Sequence, residues 1–273
     1  KFLQKGFTIE DDEAVNSVSE SYVAWNWVAA GGTTAANTAG SGANVATTIQ
    51  ANPTAGFSIC EFTGTGSNLR FAHGLSQAPE WIFIKRLEGS GAAQQVYHKS
   101  IGADKYVQLN EPDALVSTGA ATTNYIETPT ATYVDLGSNS NSNSNGNKSV
   151  AYCWHSVDGF SLFEQYTGNG NADGPFVYTG FKPSWIMIKE YGNSNDWVIW
   201  DNARFPINPT NNSLFANLAQ GDNSSSIDMD VLSNGFKPRT NNSQINRSSG
   251  SYIFMAFAKH PFIGDGTNPA TAR

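Results

Sequence analysis

This sequence predicts an all-β protein built from tandem β-sandwich or barrel modules, and three observations carry that expectation. First, the stretch GFSICEFTGTG beginning at Gly56 returns as GFSLFEQYTGNG beginning at Gly159. Self-similarity at a fixed spacing marks a duplicated structural unit. Second, the apolar residues fall in short runs rich in aromatic and β-branched side chains, separated by NG, DG and SNG turn signals. No capped, periodic helix of three turns is visible; NNSLFANLA reads as one short helical turn at most. Third, charged residues make up only 14% of the 273-residue chain while aromatics reach 12%. Disordered chains lack aromatics, whereas turn-rich sheets with weakly charged surfaces use them.

In chain order, residues 1–30 read as the closing part of an incomplete repeat, a strand pair whose beginning is missing. GFTIEDDEAVNSVSESYVAWNWVAA matches GFKPRTNNSQINRSSGSYIFMAFAK at its opening Gly-Phe and its terminal aromatic run. The absence of an initial Met and of an apolar signal-peptide core reads as an excerpt or a processed product. Residues 31–55 hold small residues and no aromatic, and predict an extended linker or poorly packed loop. Residues 56–157 form the first module and 158–264 the second, with 265–273 as a tail. Pro79, Trp81, Ile82, Ile84 and Lys85 recur as Pro183, Trp185, Ile186, Ile188 and Lys189, and Val96 recurs as Val198. A leading proline suits the start of a strand and not its middle. YVAWNWVA and YIFMAFAK are near-continuous apolar runs, the mark of strands buried on both faces. NSNSNSNGNKS from Asn139 to Ser149 is polar and of low complexity, and predicts a mobile hairpin loop.

Little in the chain points to chemistry. The formal net charge of −7 argues against a nucleic-acid partner, and no run of eighteen apolar residues offers a membrane span. Cys60 and Cys153 read as free, buried thiols, although a disulfide stays open. His73, His98, His155 and His260 do not align between copies and lack metal-ligand spacing; His98 matches Trp200 and His155 matches Ala258. Glu61 and Glu164 align and are the candidates for the carboxylate pair of a glycosidase, but each lies in a strand where a solvent-facing acid costs nothing. The acidic run Asp11–Glu13 lacks the spaced calcium-loop pattern and reads as a solvated tip. No catalytic residue, metal site or cofactor is therefore expected. Asn147, Asn211, Asn223, Asn241 and Asn246 each begin a glycosylation sequon, a conditional signal in so Asn/Ser-rich a chain.

Two groups of residues remain as candidates. Trp197, Trp200, Asp201 and Asn202 combine aromatic faces with amide and carboxylate groups, the ingredients of a saccharide platform. Tyr22, Val23, Trp25, Trp27 and Val28 form a strand too apolar to remain solvated. Together they would expose roughly several hundred Å², so the segment must dock on its own chain or on a neighbouring subunit. An unpaired strand of this kind is a template for assembly by strand donation.

The residues Tyr22–Ala29, Gly56–Gly66, His73–Lys85, Ser233–Lys237 and Tyr252–Phe262 resemble tandem modules of virion and tail-fibre proteins of tailed phages. The resemblance implies a non-enzymatic structural subunit on a virion surface or outside a cell, facing a receptor or a cell-surface glycan. It brings no catalytic residues. Two other readings stand beside it: a self-assembling extracellular filament subunit joined by N-terminal strand donation, and a secreted carbohydrate-binding module. Expected partners are further copies, as a homo-oligomer or filament, and a glycan. Neither nucleic-acid binding nor membrane insertion is expected.

Overall fold

The computed structural model of the protein describes residues 2–3, 6–29, 35–37, 44–89, 91–117, 125–222 and 226–261. A hairpin of β1 (Phe2–Leu3) and β2 (Gly6–Phe7) leads into one helical turn, α1 (Glu13–Asn16). Then come β3 (Ala35–Asn37) and β4 (Thr47–Asn52). The first module supplies β5 (Phe57–Thr63), β6 (Leu69–Ala72), β7 (Trp81–Arg86), β8 (Gln95–His98), β9 (Lys105–Gln108), β10 (Val116–Ser117), β11 (Tyr133–Leu136) and β12 (Lys148–Trp154). The second supplies β13 (Ser161–Thr167), β14 (Val177–Tyr178), β15 (Pro183–Glu190), β16 (Val198–Asp201), β17 (Leu214–Phe215), β18 (Met229–Leu232), β19 (Gly235–Pro238), the helical turn α2 (Ser243–Asn246) and β20 (Ser251–Ala258).

The two modules share one topology. The order β8-β7-β12-β5 inside the first large sheet is matched by β16-β15-β20-β13 in the second. Each large sheet is covered by a small one, β11-β6 in the first module and β14-β19-β18 in the second. Every pairing among these strands is antiparallel, so the protein is an all-β sandwich, and no barrel closes among the described residues.

Alternation of side chains across each strand sorts the core into three clusters. Ile82 and Ile84 of β7 meet Leu69, Phe71, Val134 and Leu136 of the small sheet inside the first module. Ile186 and Ile188 of β15 meet Val177, Met229 and Phe236 inside the second. The alternate residues, Trp81 and Phe83 on one side and Trp185 and Met187 on the other, meet in a third cluster between the modules. The layers therefore run small sheet, large sheet, large sheet, small sheet. Both faces of β12 and β20 are covered, which is why Val150–Trp154 and Tyr252–Ala258 are apolar throughout.

Four expectations are corrected. Part of the stretch read as a linker is strand: Thr47–Asn52 pairs along β5, and Ile49 is buried in the first core. A β-branched Thr-Thr-Ile triplet next to an unpaired strand edge outweighed the lack of aromatics. The segment NNSLFANLA contributes β17, paired with β16, in place of a helical turn. The run from Tyr22 to Ala29 contains no strand, because no flanking strands reach it among the described residues. The polar loop before β12 is anchored, with Ser142 and Asn143 fully buried.

That anchoring follows a rule present three times. Asp12, Asn139 and Asn242 each cap a turn by accepting from the amide two residues on, at 2.9, 3.0 and 2.9 Å. Asn16, Asn143 and Asn246 then donate from the side-chain amide to the carbonyls of Glu10, Gly137 and Thr240, at 2.7, 2.7 and 2.8 Å. In the two complete modules the same asparagine grips the loop after the first strand. Asn143 accepts from Thr65 N at 2.7 Å and donates to Ser67 O at 2.6 Å. Asn246 accepts from Asn169 N at 2.8 Å and donates to Asn171 O at 2.7 Å. Such burial removes Asn246 as a glycosylation site in the folded chain.

Candidate functional site

The surface where the modules meet carries the molecule's most distinctive side chains. On the first large sheet Phe83, Tyr152, Phe57 and Trp154 form a ladder of near-parallel rings. Centroids lie 5.6 Å apart for Phe83–Tyr152, 6.1 Å for Tyr152–Trp154 and 4.8 Å for Phe57–Trp154. Cross-strand aromatic pairs of this kind stabilise a sheet beyond their buried area. Opposite stand Trp185, Met187, Ile199 and Met255 of the second module. Between the two walls runs an apolar cleft of about 470 Å³, with Lys85 and Gln94 as its polar members. A neighbouring opening of about 460 Å³ shares Trp25, Trp27, Phe57 and Trp185 and adds Asn52, Phe160 and Ser184.

Polar ties fix the modules on one side of this cleft. Trp197 donates its indole N–H to Gln108 O at 2.6 Å, Leu115 N donates to Tyr191 O at 2.9 Å, and Lys99 pairs with Glu164 at 2.5 Å. Lys189 is fully buried and donates to the carbonyls of Pro112, at 2.6 Å, and of Asn195. Burial pulls its ammonium from 10.5 down to about 8, against the opposing pull of Glu190, Asp196 and Asp113. The buried indole nitrogens of Trp25, Trp154 and Trp185 find no acceptor among the described residues. The cleft is thus a place for apolar surface with a few donors at its walls. Among the described residues that line it, Lys85 is the one charged side chain.

The saccharide platform is not formed. Trp197, just before β16, lies in the cluster between modules, and Trp200 of β16 lies in the second module's interior, both almost fully buried. Asp201 is turned to Arg204, whose Nε lies at 2.5 Å, and accepts from Arg204 N at 2.9 Å. Asn202 donates to Pro183 O at 3.0 Å. Neither of these two indoles offers a face to a sugar ring, because period-two alternation sends them into different cores.

Tyr22, Val23, Trp25, Trp27 and Val28 divide differently from the expected strand. Trp25 and Trp27 meet Trp185 edge to face at 5.9 and 5.4 Å, and Trp27 meets Phe257 at 5.5 Å. Tyr22, Val23 and Val28 stay exposed. Glu61 is held by Lys148 at 2.7 Å and Glu164 by Lys99. Cys60 and Cys153 are buried free thiols. Asp12 serves as a helix cap. Among the described residues no three His, Cys, Asp or Glu side chains gather as a metal site, and no helix is long and apolar enough to cross a membrane.

Reasoning from sequence missed the asparagine grips, although the signal was there. An Asx residue followed four positions later by Asn precedes the aromatic run in all three copies, as Asp12/Asn16, Asn139/Asn143 and Asn242/Asn246.

No curated protein and no solved structure matches this chain. A family model does, and it spans residues 1–261, taking in the partial repeat and both modules as one unit. The chain belongs to the family described as Domain of unknown function (DUF7483).

Proposed function

We propose that this protein is a non-enzymatic structural subunit of a surface assembly, of the virion or tail-fibre kind, working on a virion surface or outside a cell. The observation that carries this reading is the use made of the modules' best binding surface. The aromatic faces of both large sheets, and Trp25 and Trp27 of the partial repeat, are spent on holding repeats to one another. Architectures in which each unit buries its apolar face on the next are typical of arrays, whose stability is a sum of unit and interface contributions. The carboxylates support the same reading. Glu61, Glu164 and Glu80 are tied to lysines, and Glu190 is sealed by Arg247 at 2.6 Å, Asn193 at 2.9 Å and Asn195 at 2.5 Å.

The test is location together with inertness. Antibodies raised against residues 56–261 should decorate purified virions from a lysate that contains the chain, at a fixed place on the particle. The recombinant chain should show no turnover on polysaccharide, peptide or ester substrates. Label that stays with soluble protein while virions remain bare would remove the virion reading. Hydrolysis lost on Glu164→Gln would remove the non-enzymatic one.

A further inference from the structure

Residues 6–29 carry the closing apparatus of a module, and among the described residues no front part of that module accompanies it. The correspondence with the end of the second module extends to individual bonds. Tyr22 and Tyr252 donate from the hydroxyl to the carbonyls of Glu13 and Ser243, at 3.2 and 2.8 Å. The same hydroxyls accept from the amides of Ser17 and Arg247, at 2.8 and 2.7 Å. Ser19 and Ser249 both take the left-handed conformation, with φ of 67° and 57°. Asn16 makes the backward bond of its counterparts, but it is exposed, and among the described residues no loop occupies the side that grips Thr65–Ser67 or Asn169–Asn171 elsewhere.

A second, independent observation concerns direction. Trp25 and Trp27 occupy the repeat positions of Met255 and Phe257 and, like them, turn to the cluster between modules. Their neighbours Tyr22 and Val28 occupy the positions of Tyr252 and Ala258, which lie inside the second module, yet here they are exposed. The segment is therefore oriented as a central strand whose outer face is bare.

We propose that residues 6–29 close a third β-sandwich module, and that the partner they take is the front part of this same repeat. That partner is a polypeptide with a first strand ending in a Thr-Gly-x-Gly loop, followed by an aromatic-led strand of the kind seen in β7 and β15. Its loop sits on Asn16. Its two strands flank residues 21–29, turning them into a central strand as β12 and β20 are. The third large sheet then faces the shared cluster beside the cleft. A folded second copy of this chain is not the partner. Its grips at Asn143 and Asn246 are occupied, and β12 and β20 already fill both central positions. The partner is a repeat that lacks its own closing segment.

The register adds a requirement on that partner. Asn26 falls where Cys153 and Ala256 stand, pointing into the new module. Cys153 pairs with the buried Ser58 of β5, whereas Ala256 pairs with Leu162 of β13. An amide inside a sandwich needs a hydrogen-bond partner, so the incoming first strand resembles β5, with a polar residue at the Ser58 position. The inference stands on repeat geometry and holds whether or not the assembly is a virion.

The test extends the whole chain by placing a second copy of residues 56–131 directly before Gly6. Amide exchange of residues 21–29 should slow by about a thousandfold or more, toward the protection of Ser251–Ala258 in the same molecule, the range that separates open segments from core strands. Asn16→Ala in the extended chain should return most of that gain, by about tenfold or more, while Ser251–Ala258 keeps its protection. Replacing the added Ser58 with Leu should weaken protection at residues 21–29 alone. If residues 21–29 still exchange freely while both original modules remain protected, or if the extension never folds, the proposal is wrong. It is equally wrong if the unextended chain protects these amides as its concentration rises, since a second copy would then be the occupant.

Discussion

The two modules are one skeleton written twice, and they differ most where they touch. By strand register Gln94, just before β8, takes the position of Trp197, His98 that of Asp201 rather than Trp200, and Lys85 that of Lys189. Lys85 is exposed at the cleft, whereas Lys189 is fully buried beneath the carbonyl of Pro112, a residue of the other module. The same residue at the same register therefore has opposite surroundings, decided by what the neighbouring module lays over it. The edges differ too. β4 covers β5, while the equivalent edge of β13 is met by Ser156, whose hydroxyl accepts from Phe163 N at 3.1 Å. Strand order and turns are thus properties of the repeat. The facing residues are properties of the pair, and they make the contact asymmetric.

The largest effect that can break this comparison is loss of its equivalent tryptophans. Trp81→Ala and Trp185→Ala should each destabilise by roughly 3–5 kcal/mol, the usual cost of truncating a large buried aromatic. Only Trp185→Ala should also release the front segment, since Trp25 and Trp27 rest on Trp185. Denaturant unfolding together with limited proteolysis near residue 29 reads both; equal release in the two variants would contradict the assigned contacts.

The grips come next. Asn143→Ala and Asn246→Ala should each cost about 2–4 kcal/mol, because several buried bonds of about 1 kcal/mol net are lost and their partners are left unpaired. Similar costs in the two modules are the expectation. A neutral effect in one would show that its loop is held by other means.

Lys189 offers a pH signature that Lys85 should lack. The unfolded lysine holds its proton to 10.5 and the folded one only to about 8. Between those values the unfolded state binds more protons, so stability rises with pH across that window. Above pH 10 the buried Tyr97, raised to about 12, adds the opposite slope, because its unfolded phenol ionises first. Unfolding midpoints from pH 8 to 10 should climb in the parent and in Lys85→Met, and flatten in Lys189→Met. A slope unchanged by Lys189→Met would mean that the ammonium is not desolvated. The smallest effect belongs to the partial repeat: Asn16→Ala in the chain as it stands should change stability by less than about 0.5 kcal/mol, as for an exposed site. A cost like that of Asn143→Ala would place a partner on Asn16 already.

Much of this architecture is legible in the sequence. Duplication, module order, the β class and the apolar character of β20 follow from local patterns, because turn residues and side-chain alternation act over a few positions. The matched fragment at the front was legible for the same reason, since Asp12, Asn16, Ser19 and Tyr22 make their turn from bonds within a short stretch. Nothing local, however, says which face of a strand meets the small sheet and which meets another module. Trp197 and Trp200 read alike as aromatic candidates until β16 is placed between two cores. Thr47–Asn52 reads as spacer until the edge of β5 supplies its hydrogen bonds. Tyr22–Val28 reads as a strand until the flanking strands prove to be elsewhere. A strand's backbone partners come from distant residues. A sequence can therefore determine that a segment is able to be a strand, and only the tertiary structure decides whether it is one.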